Sequence, residues 1–280
     1  MTRKFSSGEK GKIMEEKKRA TISVVINTLN AERIFEQCLE SIKNDADEII
    51  VCDMHSEDRT IEIAQKYGCK IVYHERCRCA EPARNFADSQ ATMDWTLVLD
   101  ADELVTPELW DYLHNFANNP PKDVVALEIP RETYALGKKL RSMYQSKLRR
   151  FWKTGSCEWK GHVHNIPETL YGKSVPLLPR KEGVAIQHYH IDSLQSYLEK
   201  MNRYTDLEME RFKEKKKHFS VCRLIFRPLY EFFKFYILKG GFLDGVTGFI
   251  ICFMNMQYKF IQLAKLYEME YKEKNPDLVY

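Results

Sequence analysis

The chain has 280 residues, of which 44% are hydrophobic and 30% are charged, and its formal net charge is +3. This length fits one large domain, or one domain with an appendage, and the apolar share is sufficient for a packed core. The small net charge gives no argument for a nucleic-acid partner. Eight scattered cysteines, of which only Cys77 and Cys79 lie close together, indicate reduced thiols rather than a disulfide framework or a zinc site.

The first residues give no sign of a targeting segment. Residues 1–19 are polar and rich in lysine, without the apolar core of a secretory signal, and they predict a disordered or helical lead-in. No uninterrupted apolar run approaches the roughly 20 residues that a membrane-spanning helix needs. We therefore expect a cytoplasmic location.

Apolar strands and amphipathic helices alternate through residues 20–130. The predicted strands cover 21–26, 48–52, 70–73, 95–99 and 124–129, and the predicted helices cover 31–43, 59–67, 81–90 and 107–116. Gly68 is placed to end the second helix as its C′ residue. This pattern is typical of parallel βαβ units and predicts an α/β fold with a mostly parallel central sheet flanked by helices.

The second half of the chain divides into two parts. Residues 131–190 are expected to hold short segments and to complete a domain spanning 20–190, while residues 191–280 are predicted to be helical. Within 219–267, large apolar side chains alternate with basic residues such as Arg223, Arg227 and Lys234. This mixture favours helices that lie in a membrane interface. A helical hairpin packed on its own core is the alternative.

Three carboxylates follow the most apolar strand. The strand 95–99 runs directly into Asp100, Asp102 and Glu103, and a strand interior does not tolerate that charge density, so the acids belong at the strand end. Asp100 and Asp102 project to the same side in extended geometry. Paired carboxylates suit a divalent cation held between protein oxygens and substrate phosphates. Alternatively, these residues form only a turn before the helix that Pro107 begins.

Polar side chains also follow two other predicted strands. Thr28 comes just after the first strand, and Asp53 just after the second. Right-handed crossovers bring the carboxyl ends of parallel strands to one edge of the sheet, where open α/β sheets bind ligands. We expect Thr28, Asp53, Asp100 and Asp102 to share one cleft there.

Four segments, taken in order, resemble family 2 glycosyltransferases of the GT-A fold, and particularly the branch of lipopolysaccharide-core β-1,4-glucosyltransferases. These segments are 23–30, 53–60, 83–85 and 99–103. Later segments agree with the resemblance, which covers roughly residues 20–268: 147–151, 159–164, 188–190 and 240–245. The resemblance divides the domain into a nucleotide-sugar half, 20–130, and an acceptor half, 131–190.

The resemblance implies an inverting transfer from a nucleotide sugar, usually a UDP-hexose such as UDP-glucose, to a lipid-linked or cell-surface saccharide. It also implies a divalent metal, Mg²⁺ or Mn²⁺, with Asp102 as ligand beside Asp100. The aromatic and basic C-terminal segment predicts a peripheral position on the inner face of the cell membrane. The residues implied to bind the nucleotide sugar are Thr28, Asn30, Glu32, Asp53, Arg84 and Asp100. Arg149 or Arg150 is expected to bind it as well, by helping to neutralise the charge of the leaving diphosphate.

Two departures from the family's pattern affect the predicted site. The family often has Val-His-Glu where this chain has Val163-His164-Asn165, and it has small residues where this chain has Met54 and His55. The glutamate that could act as base is therefore absent. The general base stays open among Glu103, Glu158, Glu168 and His164.

His188 or His190 can supply a further metal ligand, since neutral imidazole coordinates metals readily. A histidine held for structural reasons is the alternative for each.

Two other classes of protein must be weighed. A nucleotidyltransferase acting on sugar phosphates has a similar sheet, but a Gly-rich phosphate loop is expected after its first strand, and 27–31 holds no glycine. A non-catalytic membrane-bound adaptor could keep the fold, but the intact Asp100 and Asp102 count against it. Binding of UDP with and without metal distinguishes all three.

Overall fold

The computed structural model describes residues 19–76, 81–160, 166–177 and 183–277. Its first part alternates strands and helices, as the sequence predicts. The elements are β1 (Ile22–Thr28), α1 (Glu32–Glu40), β2 (Glu48–Asp53), α2 (Thr60–Lys66), β3 (Lys70–Tyr73), α3 (Glu81–Asp88), β4 (Trp95–Asp100), β5 (Glu103–Val105) and α4 (Pro107–Asn118). The predicted lead-in up to residue 18 lies outside the described residues, as do Cys77 and Cys79.

The prediction of short segments over 131–190 is wrong for its first part. Two long antiparallel strands occupy most of 124–153, and their pairing shifts register at several points, which obscures the alternation that marks a strand. The remaining elements are β6 (Val124–Ala135), β7 (Lys138–Lys153), β8 (Cys157–Glu158), β9 (Glu168–Thr169), β10 (Lys173–Pro176), β11 (Ile186–Ile191), α5 (Leu194–Glu214), α6 (Val221–Phe233), a π-helical segment (Lys234–Leu238), a 3₁₀ turn (Gly241–Asp244) and α7 (Gly245–Lys274).

Nine of the described strands form one mixed sheet in the order β3-β2-β1-β4-β7-β6-β11-β5, with β10 paired to β6. Strands β1 to β4 run parallel, and β7 runs antiparallel to both β4 and β6. The predicted fold class, a mostly parallel sheet flanked by helices with a C-terminal helical extension, is confirmed. Parallel β1, β2 and β4 place their carboxyl ends along one edge.

Both faces of the central strands are covered. Along β1, Val24 and Ile26 pack into a core that includes α1 and α4, whereas Val25 packs on the other face with Ala83 and Ala87 of α3. A strand buried on two faces needs apolar side chains at successive positions, which explains the continuous apolar run in the sequence. Thr106 caps α4 by accepting a hydrogen bond from the Leu109 N–H at 3.1 Å.

The C-terminal helices pack on the β6–β7 hairpin and on one another. Tyr197 and Met201 of α5 share a core with Ile251 and Met254 of α7 and with Leu140 of β7. Asp244 accepts hydrogen bonds from the backbone N–H groups of Arg141 and Ser142 at 3.0 and 3.1 Å. These contacts fix the helices beside the domain.

Among the described helices, none by itself has the length and apolar character to cross a membrane. The segments Val221–Leu238 and Gly241–Lys274, which meet at 69°, reach that threshold only as a pair, by length and composition. The surface of α6 and its continuation exposes many large apolar side chains, among them Ile225, Phe226, Leu229, Tyr230, Phe233, Ile237, Leu238, Phe242 and Leu243.

Candidate active site

The ends of β1, β2 and β4 bring the predicted side chains to one edge of the sheet. Thr28 lies opposite Asp53 in the β1–β2 pairing, and Asn27 lies opposite Asp100 in the β1–β4 pairing. The Thr28 hydroxyl donates a hydrogen bond to the fully buried Asp53 carboxylate at 2.8 Å. Asp53 also accepts hydrogen bonds from the N–H and hydroxyl of Ser56. Thr28, Asp53 and Asp100 therefore lie at neighbouring strand ends along this edge.

Asn30 and Glu32 connect the loops that follow β1 and β2. The Asn30 side-chain carbonyl accepts the Glu57 N–H at 2.8 Å, and the backbone N–H of Asn30 donates to Ser56. Glu32 accepts the Arg59 N–H at 3.1 Å. These bonds hold both loops in place at the strand edge, which suits them to bind a ligand.

The unusual His55 forms an aromatic pair beside Asp53. Its ring stacks on Tyr73 with centroids 5.7 Å apart, and Tyr73 lies opposite Asp53 in the β2–β3 pairing. Tyr73 is half exposed. His55, which departs from the family pattern, thus adds an aromatic surface to this edge together with Tyr73.

Asp100 is held by two buried guanidinium groups. Arg84 and Arg150 donate to its two carboxylate oxygens at 2.6 and 2.8 Å. Burial would raise the pKa of Asp100, but the charges of Arg150 and Arg84 overcome it and hold this pKa well below its usual value. Arg84 also stacks on the Trp159 ring at 4.6 Å. Because both oxygens are paired with arginine, this arrangement favours a role in positioning these cations over metal ligation.

Asp102 has different partners, although it lies only two residues further on. His188 Nε2 is 3.4 Å from one of its oxygens, and Lys200 Nζ of α5 is 3.5 Å from the other. Burial opposes ionisation, but His188 and Lys200 lower the pKa of Asp102 far below normal. Burial, with His188 and Lys200 nearby, lowers the pKa of His190 to about 3, so its imidazole is neutral near pH 7.

Asp102 and His188 are side chains here that could contact a metal ion. The described ranges contain no cluster of three or more His, Cys, Asp or Glu side chains that could hold an ion. Asp102 and His188 provide one ionised carboxylate and one imidazole, 3.4 Å apart. Mg²⁺ in proteins is commonly held by one or two carboxylates together with substrate phosphates, so the pair fits partial ligation of that kind.

The structure buries one of the candidate bases and leaves two others at the surface. Glu103 is fully buried, accepts the Asp100 N–H at 2.9 Å and pairs with Arg131 at 2.9 Å. That placement favours a structural role over proton transfer. Glu158 is exposed on β8, Glu168 pairs with Lys160 at the surface, and His164 lies outside the described residues.

A cavity of about 790 Å³ opens in front of Asp100 and Asp102. The sheet side contributes the predicted Arg149 and Arg150. The other side comes from α5, α6 and α7, which the sequence analysis did not connect with the site. Residues from these helices and the adjoining π-helical segment line it: Tyr197, Lys200, Met201, Tyr204, Glu208, Glu231, Phe235, Asn255, Tyr258 and Lys259. Thr28 and Asp53 lie at the same sheet edge but outside this lining.

One sequence signal for that wall was present. Lys200, Tyr204 and Glu208 recur every four residues, and on a helix this spacing puts them on one face. A polar and aromatic stripe on an otherwise amphipathic helix is an indication of a lined cavity. The contributions of α6 and α7 depend on tertiary packing, which no local pattern reveals.

Comparisons with known proteins agree with this architecture. A sequence profile described as Glycosyl transferase family 2 matches residues 23–172, which is more than half of the chain. An uncharacterized glycosyltransferase of Rickettsia typhi is 30% identical over 271 residues, covering 91% of this chain and 89% of the relative. The chain therefore belongs to glycosyltransferase family 2.

Two further comparisons give more distant matches. The lipopolysaccharide core biosynthesis glycosyltransferase LpsC of Rhizobium meliloti is 26% identical over 268 residues, covering 92% of this chain and 96% of the relative. A crystal structure of glucosyl-3-phosphoglycerate synthase from Mycobacterium tuberculosis, with Mn²⁺, UDP and glucosyl-3-phosphoglycerate, is 23% identical. It covers 41% of this chain and 44% of its own, with a TM-score of 0.35.

Proposed function

We propose that this protein transfers a sugar from a nucleotide sugar, a UDP-hexose such as UDP-glucose, to a saccharide acceptor with inversion at the anomeric carbon. The observation that carries the proposal is the paired Asp100 and Asp102 at the end of β4, facing a cavity in a chain of glycosyltransferase family 2. Thr28, Asn30, Glu32 and Asp53 form the fixed sheet edge at which the nucleoside would bind.

Charge on the leaving diphosphate must be neutralised for such a transfer. Four arginines line the cavity near the paired acids: Arg84, Arg131, Arg149 and Arg150. Arg84 and Arg150 are buried and fixed by Asp100, so they are already oriented before a donor arrives. Preorganised cations in a water-poor site stabilise developing negative charge strongly, because they need not reorient during the reaction.

Asp102, with His188 or His190, would hold a divalent ion, Mg²⁺ or Mn²⁺, which when bound adds Lewis-acid stabilisation of the leaving diphosphate. The surroundings of Asp102 support this assignment, because its carboxylate, unlike that of Asp100, is not held by two guanidinium groups. His190, uncharged near pH 7, has a free electron pair for coordination.

The acceptor in this proposal is a lipid-linked saccharide presented at the cell membrane. The exposed apolar side chains of α6 and the segment after it support this, since large exposed apolar patches mark interaction surfaces. Arg223, Arg227, Lys234 and Lys239 accompany them along the chain, as at the headgroups of anionic lipids.

Titration calorimetry with UDP, with and without Mn²⁺, tests the proposal. The wild type should bind UDP more tightly with Mn²⁺, and Asp102→Asn should lose that metal-dependent gain and donor turnover, because the ionised carboxylate is gone. Asp111→Asn, an exposed aspartate of α4, is the matched control and should behave as wild type. UDP binding that is absent, or that ignores both Mn²⁺ and Asp102, would contradict the proposal.

A further inference from the structure

One buried carboxylate in the cavity lacks the hydrogen bonds that its burial requires. Glu231 of α6 is 6% exposed and lines the cavity. One of its oxygens accepts a hydrogen bond from Lys234 at 3.3 Å. The other, Oε2, accepts no hydrogen bond from the described part of the chain. It forms an ion pair with Arg227, whose guanidinium nitrogen is 3.7 Å away. A buried acceptor without a donor is costly, so this oxygen is suited to a ligand that brings one.

The neighbouring polar groups of the same wall already have partners. The Gln262 side-chain amide donates to Glu208, and the Tyr258 hydroxyl is hydrogen bonded to Glu208 as well. Asn255 accepts a hydrogen bond from the Tyr197 hydroxyl at 3.1 Å. Glu231 therefore differs from these groups, because one of its buried oxygens accepts no hydrogen bond within the described residues.

Aromatic side chains accompany Glu231. Phe235 and Tyr258 line the same wall of the cavity. Lys234 and Lys239 lie over the Phe235 ring, with 4.9 and 4.6 Å from nitrogen to centroid. An apolar ring face beside a carboxylate, which can only accept, matches a molecule with a C–H face and donor hydroxyl groups. Sugars have this combination.

We propose that the α6–α7 wall of the cavity is the acceptor-sugar subsite, in which Glu231 Oε2 accepts a hydrogen bond from an acceptor hydroxyl while Phe235 and Tyr258 cover the sugar ring. The inference rests on the proposed transferase function, because it places the acceptor across the cavity from Asp100 and Asp102. The acceptor in this proposal is a neutral saccharide attached to a lipid.

The two sides of α6 support a lipid attachment. Glu231 faces the cavity, whereas Phe226, Leu229 and Phe233 of the same helix are about half exposed or more. A saccharide on a lipid could therefore enter the cavity while its chain stays against the outer, apolar side. One helix thus contacts both ends of an amphiphilic acceptor.

Saturation-transfer NMR with octyl β-glucoside and octyl α-mannoside, below their critical micelle concentrations and with UDP and Mn²⁺ present, tests the subsite. The wild type should transfer saturation to sugar-ring protons of at least one glycoside. Glu231→Gln should weaken the apparent affinity measured on ring protons about tenfold, since hydrogen bonds to charged groups are among the stronger ones. Its affinity for UDP should stay unchanged.

Matched variants make the outcome decisive. Glu268→Gln removes an exposed carboxylate of α7 and should behave as wild type. Phe235→Leu removes the ring face without changing the net charge. It should weaken the affinity measured on ring protons in the same way, and it replaces Glu231→Gln if that variant does not fold. Absence of ring-proton saturation in the wild type, or unchanged saturation in both variants, overturns the subsite. A wild type that does not bind UDP refutes the proposed function instead. Saturation of the sugar-ring protons is measured separately and tests only the subsite.

Discussion

At the scale of single residues, the two acids of the Asp-x-Asp pair have divided roles. Asp100 faces two guanidinium groups, while Asp102 faces an imidazole and an ammonium group. The sequence predicted their place at the end of β4, because a run of charge cannot stay inside a strand. It could not predict the division, because Arg150 and His188 approach from β7 and β11, far along the chain.

Glu103 shows the limit of reading a residue by its type. A glutamate beside the motif was a reasonable candidate for a base, yet the structure buries it against Arg131 and Arg150. Whether a carboxylate is buried and paired or open to a ligand depends on its tertiary neighbours. Composition and spacing do not contain that information.

Asp88 gives a pH-dependent prediction. Burial raises the pKa of Asp88 to about 7, although Trp159 Nε1 donates a hydrogen bond to it at 2.8 Å. An unfolded aspartate ionises near pH 4, so between those values the folded protein holds more protons and its stability falls as pH rises, levelling off above about pH 7. We expect Asp88→Asn to remove this decline.

Urea unfolding at pH 5 and pH 8 measures this fall in the free energy of unfolding. Relative to wild type, Asp88→Asn should gain about 1–2 kcal/mol between the two pH values, since one pKa unit corresponds to about 1.4 kcal/mol and the residue is only partly buried. Asp111→Asn provides the exposed control, with no such gain. A parallel pH dependence for wild type and Asp88→Asn would show that Asp88 is ionised throughout.

At the scale of elements, the βαβ units were predictable and the β6–β7 hairpin was not. In β1, apolar side chains at successive positions signal a strand covered on both faces. In β6 and β7, register shifts interrupt the alternation, and charged residues such as Arg149 and Arg150 occupy a strand because their partners lie on the neighbouring strands, Glu128 in β6 and Asp100 at the end of β4. Local pattern fails where the site itself dictates the residues.

The junction between the 3₁₀ turn and α7 gives an element-scale prediction. A methyl group on Gly248 would meet the Gly241 carbonyl oxygen and lie 2.6 Å from the Asp244 Cβ. Alanine normally favours a helix over glycine by about 1 kcal/mol, but a clash with fixed backbone typically costs about 1–3 kcal/mol and should prevail. Gly248→Ala should therefore lower the free energy of unfolding.

Denaturant titration compares the free energy of unfolding of Gly248→Ala with that of Val246→Ala. The Val246 side chain is 75% exposed in the same helix turn. The Val246 variant should differ from wild type by less than about 0.5 kcal/mol. A Gly248→Ala protein as stable as wild type would mean that the turn does not approach α7 this closely.

At the scale of the whole molecule, the exposed apolar side of α6 gives a prediction about membranes. Phe226 and Leu229 are 67% and 56% exposed, so replacing both with serine leaves the core unchanged. Each apolar side chain buried at a lipid surface contributes up to about 1.5–3 kcal/mol, so the double variant should bind vesicles at least about tenfold more weakly.

Sedimentation with phosphatidylglycerol–phosphatidylcholine vesicles measures this binding. Leu170→Ser with Tyr171→Ser removes two similarly exposed apolar side chains elsewhere on the surface, and that variant should bind as wild type does. Added salt should weaken binding for all three proteins, because the basic residues beside α6 are screened. Wild-type protein that stays in the supernatant would refute the prediction that α6 binds membranes.

The helices that close the cavity lie beyond residues 23–172, the stretch that the family profile matches. The ends of β1, β2 and β4 and the far wall are therefore encoded in separate stretches of the chain. Under the acceptor subsite proposed for the α6–α7 wall, exchanging α6 and α7 for those of a relative should change which saccharide is accepted, while Asp100, Asp102 and Lys200 of α5 keep their places.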